Sequence, residues 1–203
     1  YESRLYSGIR DWNLKQDFNY YLNPRHTLKF GINNTYHVFS PSNFDASLDT
    51  IDISTNDIRY YAHEGAIYIN DEFNFNEKVL INGGIRLSSF THYGPFDRYV
   101  KDNSGNLSAL STDTTLSYNS WEPIKSYYGF EPRISTRILI NELSSIKMGF
   151  NQNYQYIHLT SLSASSLPTD VWIPSSSIIK PLIGRQYSIG YYRNFRENKY
   201  EMV

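Results

Sequence analysis

The sequence predicts an all-β protein whose strands run up and down in one antiparallel sheet. Three observations lead to this prediction. Apolar and polar residues alternate with a period of two over long stretches, which gives each strand one apolar and one polar face. The chain holds 19 tyrosines against 2 methionines, and aromatic residues favour strands. Short turns and long polar connections also alternate along the whole chain.

The stretch from Leu14 to Val38 shows the repeated unit most clearly. On the near side of a turn at Asn23-Pro24-Arg25, the even-numbered positions are mostly apolar and the odd-numbered positions mostly polar. Beyond the turn, the same alternation continues to Val38. Proline fixes φ and has no N–H for a ladder, so Asn-Pro indicates a turn. The unit is a long antiparallel hairpin, and the rest of the chain repeats it.

The alternation predicts eight strands in chain order. Seven cover about 6–22, 26–39, 58–75, 79–90, 128–140, 146–156 and 187–191, and the eighth begins near 199. Long polar connections occupy about 40–57, 91–125 and 160–184, and only short turns separate the other strands. All short turns therefore lie at one end of the sheet, as is typical of outer-membrane β-barrels. Pro132 lies inside the fifth strand, where we expect a local break in the ladder.

The amino-acid composition narrows the classes of protein to which the chain can belong. A formal net charge of −1 argues against a nucleic-acid binder, which needs a strongly basic face. The absence of cysteine excludes disulfides and thiol chemistry. No apolar run approaches the roughly 18–20 residues of a membrane helix. A negative mean hydropathy is nevertheless compatible with a barrel, because half of each strand faces a polar interior. Both termini look cut, so we interpret residues 1–203 as part of a single, larger transmembrane β-barrel domain.

Four segments resemble TonB-dependent outer-membrane receptors of the Bacteroidetes type. They read WNLKQDFNYYLNPRHTLKFG, EGAIYINDEFNFNEKVLINGGIRLSSF, EPRISTRILINELSSIKMGFNQNYQYIHL and LPTDVWIPSSSIIKPLIGRQYSIGYYRNF. The resemblance implies a section of about eight strands from a barrel of about twenty-two strands, closed by an N-terminal plug. It implies import of a scarce nutrient, such as a siderophore, glycan or peptide, across a bacterial outer membrane. The implied partners are outer-membrane lipid, the protein's own plug and the TonB complex, and a surface lipoprotein stays open.

The alternation also assigns side chains to the two faces of the barrel wall. We expect four residues to face lipid: Ile32, Ile85, Ile134 and Phe150. Charged residues of the other parity would line the interior, where they contact the plug or pair across strands: Glu64, Glu72, Arg86, Glu131, Arg133 and Lys147. Aromatic residues near strand ends are interpreted as interfacial girdles: Tyr20, Tyr36, Phe39, Phe73, Tyr154 and Tyr187.

No residue pattern predicts catalysis or a bound cofactor. The sequence lacks a Ser-His-Asp arrangement, a phosphate-binding glycine loop and a dinucleotide fingerprint. The five histidines do not have the spacing of a metal site, so we expect no enzyme activity, metal or cofactor. Four residues in the long connections are candidates for ligand contact or for packing of the loops: Tyr118, Trp121, Asp170 and Trp172.

Two other interpretations remain open. The first is an outer-membrane barrel without a transport role, such as an adhesin or a small eight-stranded barrel. The second is a soluble ligand-binding β-barrel, with its apolar parity inside and its polar parity in water. Solubility without detergent distinguishes the second from the membrane proteins.

Overall fold

The computed structural model describes residues 2–48, 51–54, 59–101, 112–160, 170–195 and 200–202. These residues form thirteen strands: β1 (Glu2–Asn23), β2 (His26–Leu48), β3 (Ile51–Ser54), β4 (Tyr60–Asn76), β5 (Val79–Tyr93), β6 (Phe96–Lys101), β7 (Thr112–Tyr118), β8 (Pro123–Asn141), β9 (Ser144–Gln155), β10 (Ile157–Thr160), β11 (Val171–Pro174), β12 (Leu182–Phe195) and β13 (Tyr200–Met202). In this part of the chain, no helix is long and apolar enough to cross a membrane.

Nine of the strands form one antiparallel sheet; eight of them follow one another in chain order, and β3 pairs with β2 beside them. Its order is β1-β2-β4-β5-β8-β9-β12-β13, and each strand pairs with the next along the chain. This confirms the predicted all-β, up-and-down architecture. Most of the predicted strands are also longer than expected; β1 and β2 have 22 and 23 residues, against the roughly 9–11 needed to cross a bilayer.

The long connections are not plain loops, which corrects the prediction for them. β2 continues to Leu48 and pairs with β3, β6 pairs with β7, and β10 pairs with β11. Their Ser, Thr, Asn and Asp content resembles loop composition, but threonine also suits a strand. In the β6–β7 hairpin, for example, Tyr99 and Val100 lie opposite Thr115 and Thr114. In each of these three connections, part of the backbone N–H and C=O groups are therefore hydrogen-bonded in a local ladder.

Asparagine side chains stabilise the three described short turns. The Oδ1 atom of Asn23 accepts hydrogen bonds from the N–H groups of Arg25 and His26, at 2.9 and 3.0 Å. Asn76 does the same for the two residues after Glu77, at 2.9 and 2.8 Å. Asn141 accepts from Leu143 at 3.0 Å. Such Asx turns fix the register of the hairpins that they close. The predicted fourth turn, at 196–198, lies outside the described residues.

Pro132 produces the predicted break in the ladder, and only on one side of β8. Pairing with β5 continues through Pro132, which lies opposite Ile85. Pairing with β9 begins only at Arg133, opposite Asn151. Above this point the Nε2 group of Gln152 donates to the carbonyl oxygen of Phe130 at 2.9 Å. The upper part of β9 is therefore free to leave β8.

The buried core lies at the end of the sheet that carries the long connections. It consists of Phe39, Ala62, Phe90 and Tyr156, with Tyr154 among the residues packed against it. The girdle prediction is wrong for Phe39, which is completely buried because it shares the parity of His37 and not that of Tyr36. The prediction is also wrong for Tyr154, because β9 has left β8 at this level.

Candidate functional site

The main sheet has two chemically different faces. Residues directly opposite each other in a ladder share a face. One such row contains Phe18, Phe30, Ile69 and Ile85, and another contains Ile134, Phe150 and Tyr187. We call this the apolar face; all four residues predicted to face lipid lie on it. The opposite side, the polar face, carries all six predicted interior residues: Glu64, Glu72, Arg86, Glu131, Arg133 and Lys147.

An ion cluster lies at the centre of the polar face. The Arg86 Nη2 atom is 3.1 Å from Glu64 Oε1, and the Arg86 Nε atom is 3.7 Å from Glu131 Oε2. Glu131 is only 4% exposed, and Ser88 donates a hydrogen bond of 2.5 Å to its Oε1 atom. A buried carboxylate is tolerated when it is paired and hydrogen-bonded. Three neighbouring strands, β4, β5 and β8, are thereby joined through side chains.

A second polar group connects β1 to β4 across β2. The Tyr68 hydroxyl donates to Asp17, whose Oδ2 atom is 3.1 Å from Lys15 Nζ. The Tyr68 side chain reaches Asp17 by passing over Gly31, where an added Cβ would lie 2.6 Å from the hydroxyl oxygen. Glycine at this position therefore permits a contact between two strands that are not neighbours.

The structure also shows the contacts of the other residues that were predicted to face the interior. Glu72 pairs with Lys29 at 3.6 Å, and Lys147 lies over the Tyr192 ring at 4.1 Å from its centroid. Arg133 lines an open groove of about 470 Å³ together with Asn70, Asn82, Asn151 and Asn153. The groove is rich in amide groups that both donate and accept, so it suits a polar ligand or a polar protein surface.

Two histidines of this sheet each pair with an aspartate, and the sequence did not predict either pair. His37 Nδ1 lies 2.7 Å from Asp11 Oδ1 at the upper end of the polar face. His26 Nδ1 lies 2.7 Å from Asp71 Oδ2, on the apolar face beside the first turn. Within the described residues, no group of three or more His, Cys, Asp or Glu side chains is placed to hold a metal ion.

The four candidate loop residues lie in different places. The Trp121 ring stacks on Tyr36, with centroids 5.3 Å apart, on the apolar face. It belongs to an upper aromatic cluster: Trp12, Tyr36, Tyr61, Tyr93 and Trp121. Tyr118 ends β7 opposite Phe96. Asp170 directly precedes β11, and Trp172 lies within it. The position of Trp121 favours packing at the rim over ligand contact, because the ring lies on the side opposite the ion cluster.

The backbone places Trp121 in its outward position. Its φ is +67°, a left-handed conformation that is costly for a bulky residue. Hydrogen bonds hold the turn closed, because Gly94 N–H donates to the carbonyl of Glu122 at 2.9 Å and Trp121 N–H donates to that of Gly94 at 3.3 Å. The turn thereby holds the Trp121 ring against Tyr36 and Tyr93 on the apolar face.

The β10–β11 hairpin covers the upper part of the polar face. β11 contacts β1, β2 and β4, and Ile157 of β10 packs on the buried core. His158 Nε2 lies 2.9 Å from Ser175 Oγ, and burial lowers the pKa of His158. In this inner hairpin (Ile157–Thr160 and Val171–Pro174), the second strand was predicted as part of the long connection 160–184.

Comparison with solved structures shows a likeness in fold. No family model and no curated protein matches the sequence. The fold is similar to the solved structure of the copper transporter OprC, with 11% identity and a TM-score of 0.55 over 96% of this chain. The chain spans 29% of the length of that protein. The likeness shows the fold: the antiparallel, up-and-down sheet of a transmembrane β-barrel.

Proposed function

We propose that this chain forms part of the wall of a transport barrel in a bacterial outer membrane. The apolar face would contact lipid, and the polar face would line the interior. The observation that supports this most is the sorting of side chains between the two faces. Large apolar residues are exposed from β1 to β12, including Phe18 at 52%, Ile67 at 57% and Ile189 at 79%. The Arg86 ion cluster and most of the buried polar side chains, including His37, Ser88 and Glu131, are instead on the face that the inner hairpin covers.

This sorting argues against the soluble alternative. A soluble barrel would direct its apolar parity inward, and its connections would cover that side. Here the buried core and the inner hairpin are both on the polar side. The order of the sheet also argues against a small eight-stranded barrel, because β1 does not pair with β12 or β13 among the described residues. An open edge needs further strands before it can enter a bilayer.

The finer parts of the proposal have narrower support. Energy coupling to a TonB complex, an internal plug and a lipoprotein partner rest on the four resembling sequence segments. The structural neighbour is a transporter for copper, which supports a transport role for the barrel. Transport without chemical conversion remains our proposal for the mechanism. The polar face suits transport, because paired charges and amides on a barrel wall can guide a polar solute without binding it tightly.

The β6–β7 connection offers a direct test of the proposal. Gly94 already lies against the backbone of Tyr118 and Asn119, so residues 96–118 can be replaced by two glycines with little strain. The full-length protein would be compared with and without this segment, in cells lacking other receptors, for uptake of labelled ferric siderophore, oligosaccharide and peptide. We expect normal folding and reduced uptake of one probe, because surface loops tolerate length changes and carry binding residues. Uptake of none of the probes by the intact protein, or conversion of a probe by purified protein, would contradict the proposal.

A further inference from the structure

Tyr156 is the point at which the inner hairpin is attached to the polar face. Its ring stacks on Phe90 with centroids 5.0 Å apart and planes at 4°. Its hydroxyl oxygen lies 2.8 Å from Ser88 Oγ. Because Ser88 has one hydroxyl proton and donates it to Glu131, Tyr156 must donate to Ser88. A buried tyrosine immediately before β10 is therefore joined to the ion cluster of the wall.

The surrounding residues fit this attachment closely. Gly129 lies directly below it, and an added Cβ would be 2.6 Å from the Tyr156 hydroxyl and 2.4 Å from Ser88 Oγ. A second attachment lies nearby, where the Tyr127 hydroxyl donates to the carbonyl of Ser176 at 2.6 Å. Ser175 is completely buried between these contacts, and its N–H donates to the carbonyl of Tyr156 at 2.8 Å.

We propose that the inner hairpin is a constriction of the passage, and that the Tyr156 hydroxyl is the latch that holds it against the wall. This inference rests on the proposed function, because the polar face lines a passage only in a barrel. β11 of the hairpin contacts β1, β2 and β4, so its docked position narrows the interior at the end that carries the long connections. The latch ends on Glu131, which also pairs with Arg86. A solute or protein group that competes for this carboxylate would therefore weaken the latch.

The latch can be tested by the chemical accessibility of Ser175. The 203 residues contain no cysteine, so Ser175→Cys adds a single thiol to this part of the protein. The full-length protein in lipid vesicles, with any other cysteines replaced, would be treated with a water-soluble maleimide. Tyr156→Phe keeps the ring on Phe90 and removes only the hydroxyl. Tyr154→Phe is the matched control, because its half-buried ring stacks on Tyr156 and its hydroxyl forms no hydrogen bond among the described residues.

We expect slow labelling in the Ser175→Cys parent and labelling about five- to tenfold faster with Tyr156→Phe, the effect of one buried hydrogen bond. Tyr154→Phe should leave the rate unchanged. Gly129→Ala should also increase it, because the added methyl group displaces the hydroxyl without removing a polar group. Fast labelling in the parent would contradict the docked position of the hairpin. Equal rates in the parent and in Tyr156→Phe would contradict the role of the Tyr156 hydroxyl as the latch.

These outcomes are separable from those of the proposed function. Labelling reports hairpin docking whether or not the protein transports a solute. If docking is confirmed and no probe is taken up, the proposed function fails alone. If uptake is confirmed and Ser175→Cys is labelled rapidly, the constriction fails alone.

Discussion

The facing of the sheet predicts how arginine substitutions affect stability. On β4, Tyr61 in the upper aromatic cluster and Phe73 beside the short turn are twelve residues apart on the apolar face. At about 3.3 Å per residue and a tilt of about 40°, this distance corresponds to about 30 Å along the membrane normal. That matches the hydrocarbon thickness of a bilayer. Leu87 pairs with Ile67, midway between the two aromatic residues, and Ile85 lies two residues closer to the short turn.

The loss of stability caused by an arginine should therefore depend first on which face of the sheet carries it and second on its depth in the bilayer. An arginine facing lipid costs about 2–4 kcal/mol at the midplane and about 0–1 kcal/mol near the interfaces. We expect Leu87→Arg to destabilise by about 3–4 kcal/mol and Ile85→Arg by about 2–3 kcal/mol, because Ile85 is farther from the midplane. Asn82→Arg, on the polar face, should cost less than about 1 kcal/mol, because water and polar groups solvate the charge.

Two neighbouring residues allow the effect of the face to be measured separately from the effect of depth. Ile134 and Ser135 are consecutive and exposed, and they point to opposite faces at nearly the same depth. The measurement is the urea dependence of unfolding of the full-length protein refolded into vesicles. Ile134→Arg should be about 1 kcal/mol less stable than Ser135→Arg, because Ile134 lies four residues closer to the short turn than Phe130, the partner of Leu87. Equal destabilisation of the two variants would refute the assignment of the apolar face to lipid.

Three further predictions concern the edges, the turns and the tryptophans. Residues 1–203 alone should aggregate, because the outer edges of β1 and β13 have no partner strand among the described residues; a monodisperse, heat-resistant monomer in detergent would contradict this. Asn141→Ala should destabilise the full-length protein by about 0.5–1.5 kcal/mol in the same urea assay, because it removes the acceptor for Leu143 N–H; Asn141→Asp should restore most of the loss. Trp121→Phe should reduce quenching of tryptophan fluorescence by brominated lipid, and Trp172→Phe should not; the opposite result would place Trp121 in the interior.

The pattern of faces and the short turns could be predicted because both are local. A period of two assigns every residue of a strand once one residue is assigned, so Ile85 and Arg86 were separated correctly. Asparagine at each short turn then fixes how adjacent strands align. The same parity already indicated that Phe39 shares a face with His37, and the girdle interpretation of Phe39 overlooked this signal.

The contacts across long connections could not be predicted in the same way. Arg86 and Glu131 are opposite each other only because β5 pairs with β8 after a connection of about thirty residues. No local turn sets that register. The contact of Tyr68 with Asp17 crosses an intervening strand, and Gly31 was the only sequence signal for it. The ion cluster and its neighbours therefore depend on tertiary pairing, although the alternation of the sequence already assigned its charged members to one face.

Pro132 links the break in the ladder to the inner hairpin. Main-chain groups of alternate residues point to the same neighbouring strand, and the Phe130 carbonyl points toward β9, because it accepts from Gln152. The missing N–H of Pro132 is therefore also on the side of β9, where a ladder bond cannot form. Pairing of β8 with β9 ends at Arg133 as a result, and the chain beyond Gln152 turns over the polar face. Pro132 is the reason that Tyr156 can stack on Phe90 of β5, two strands away from β9 in the sheet. The break was predictable from the sequence, but its direction depends on which neighbour the proline faces, and only the assembled sheet determines that.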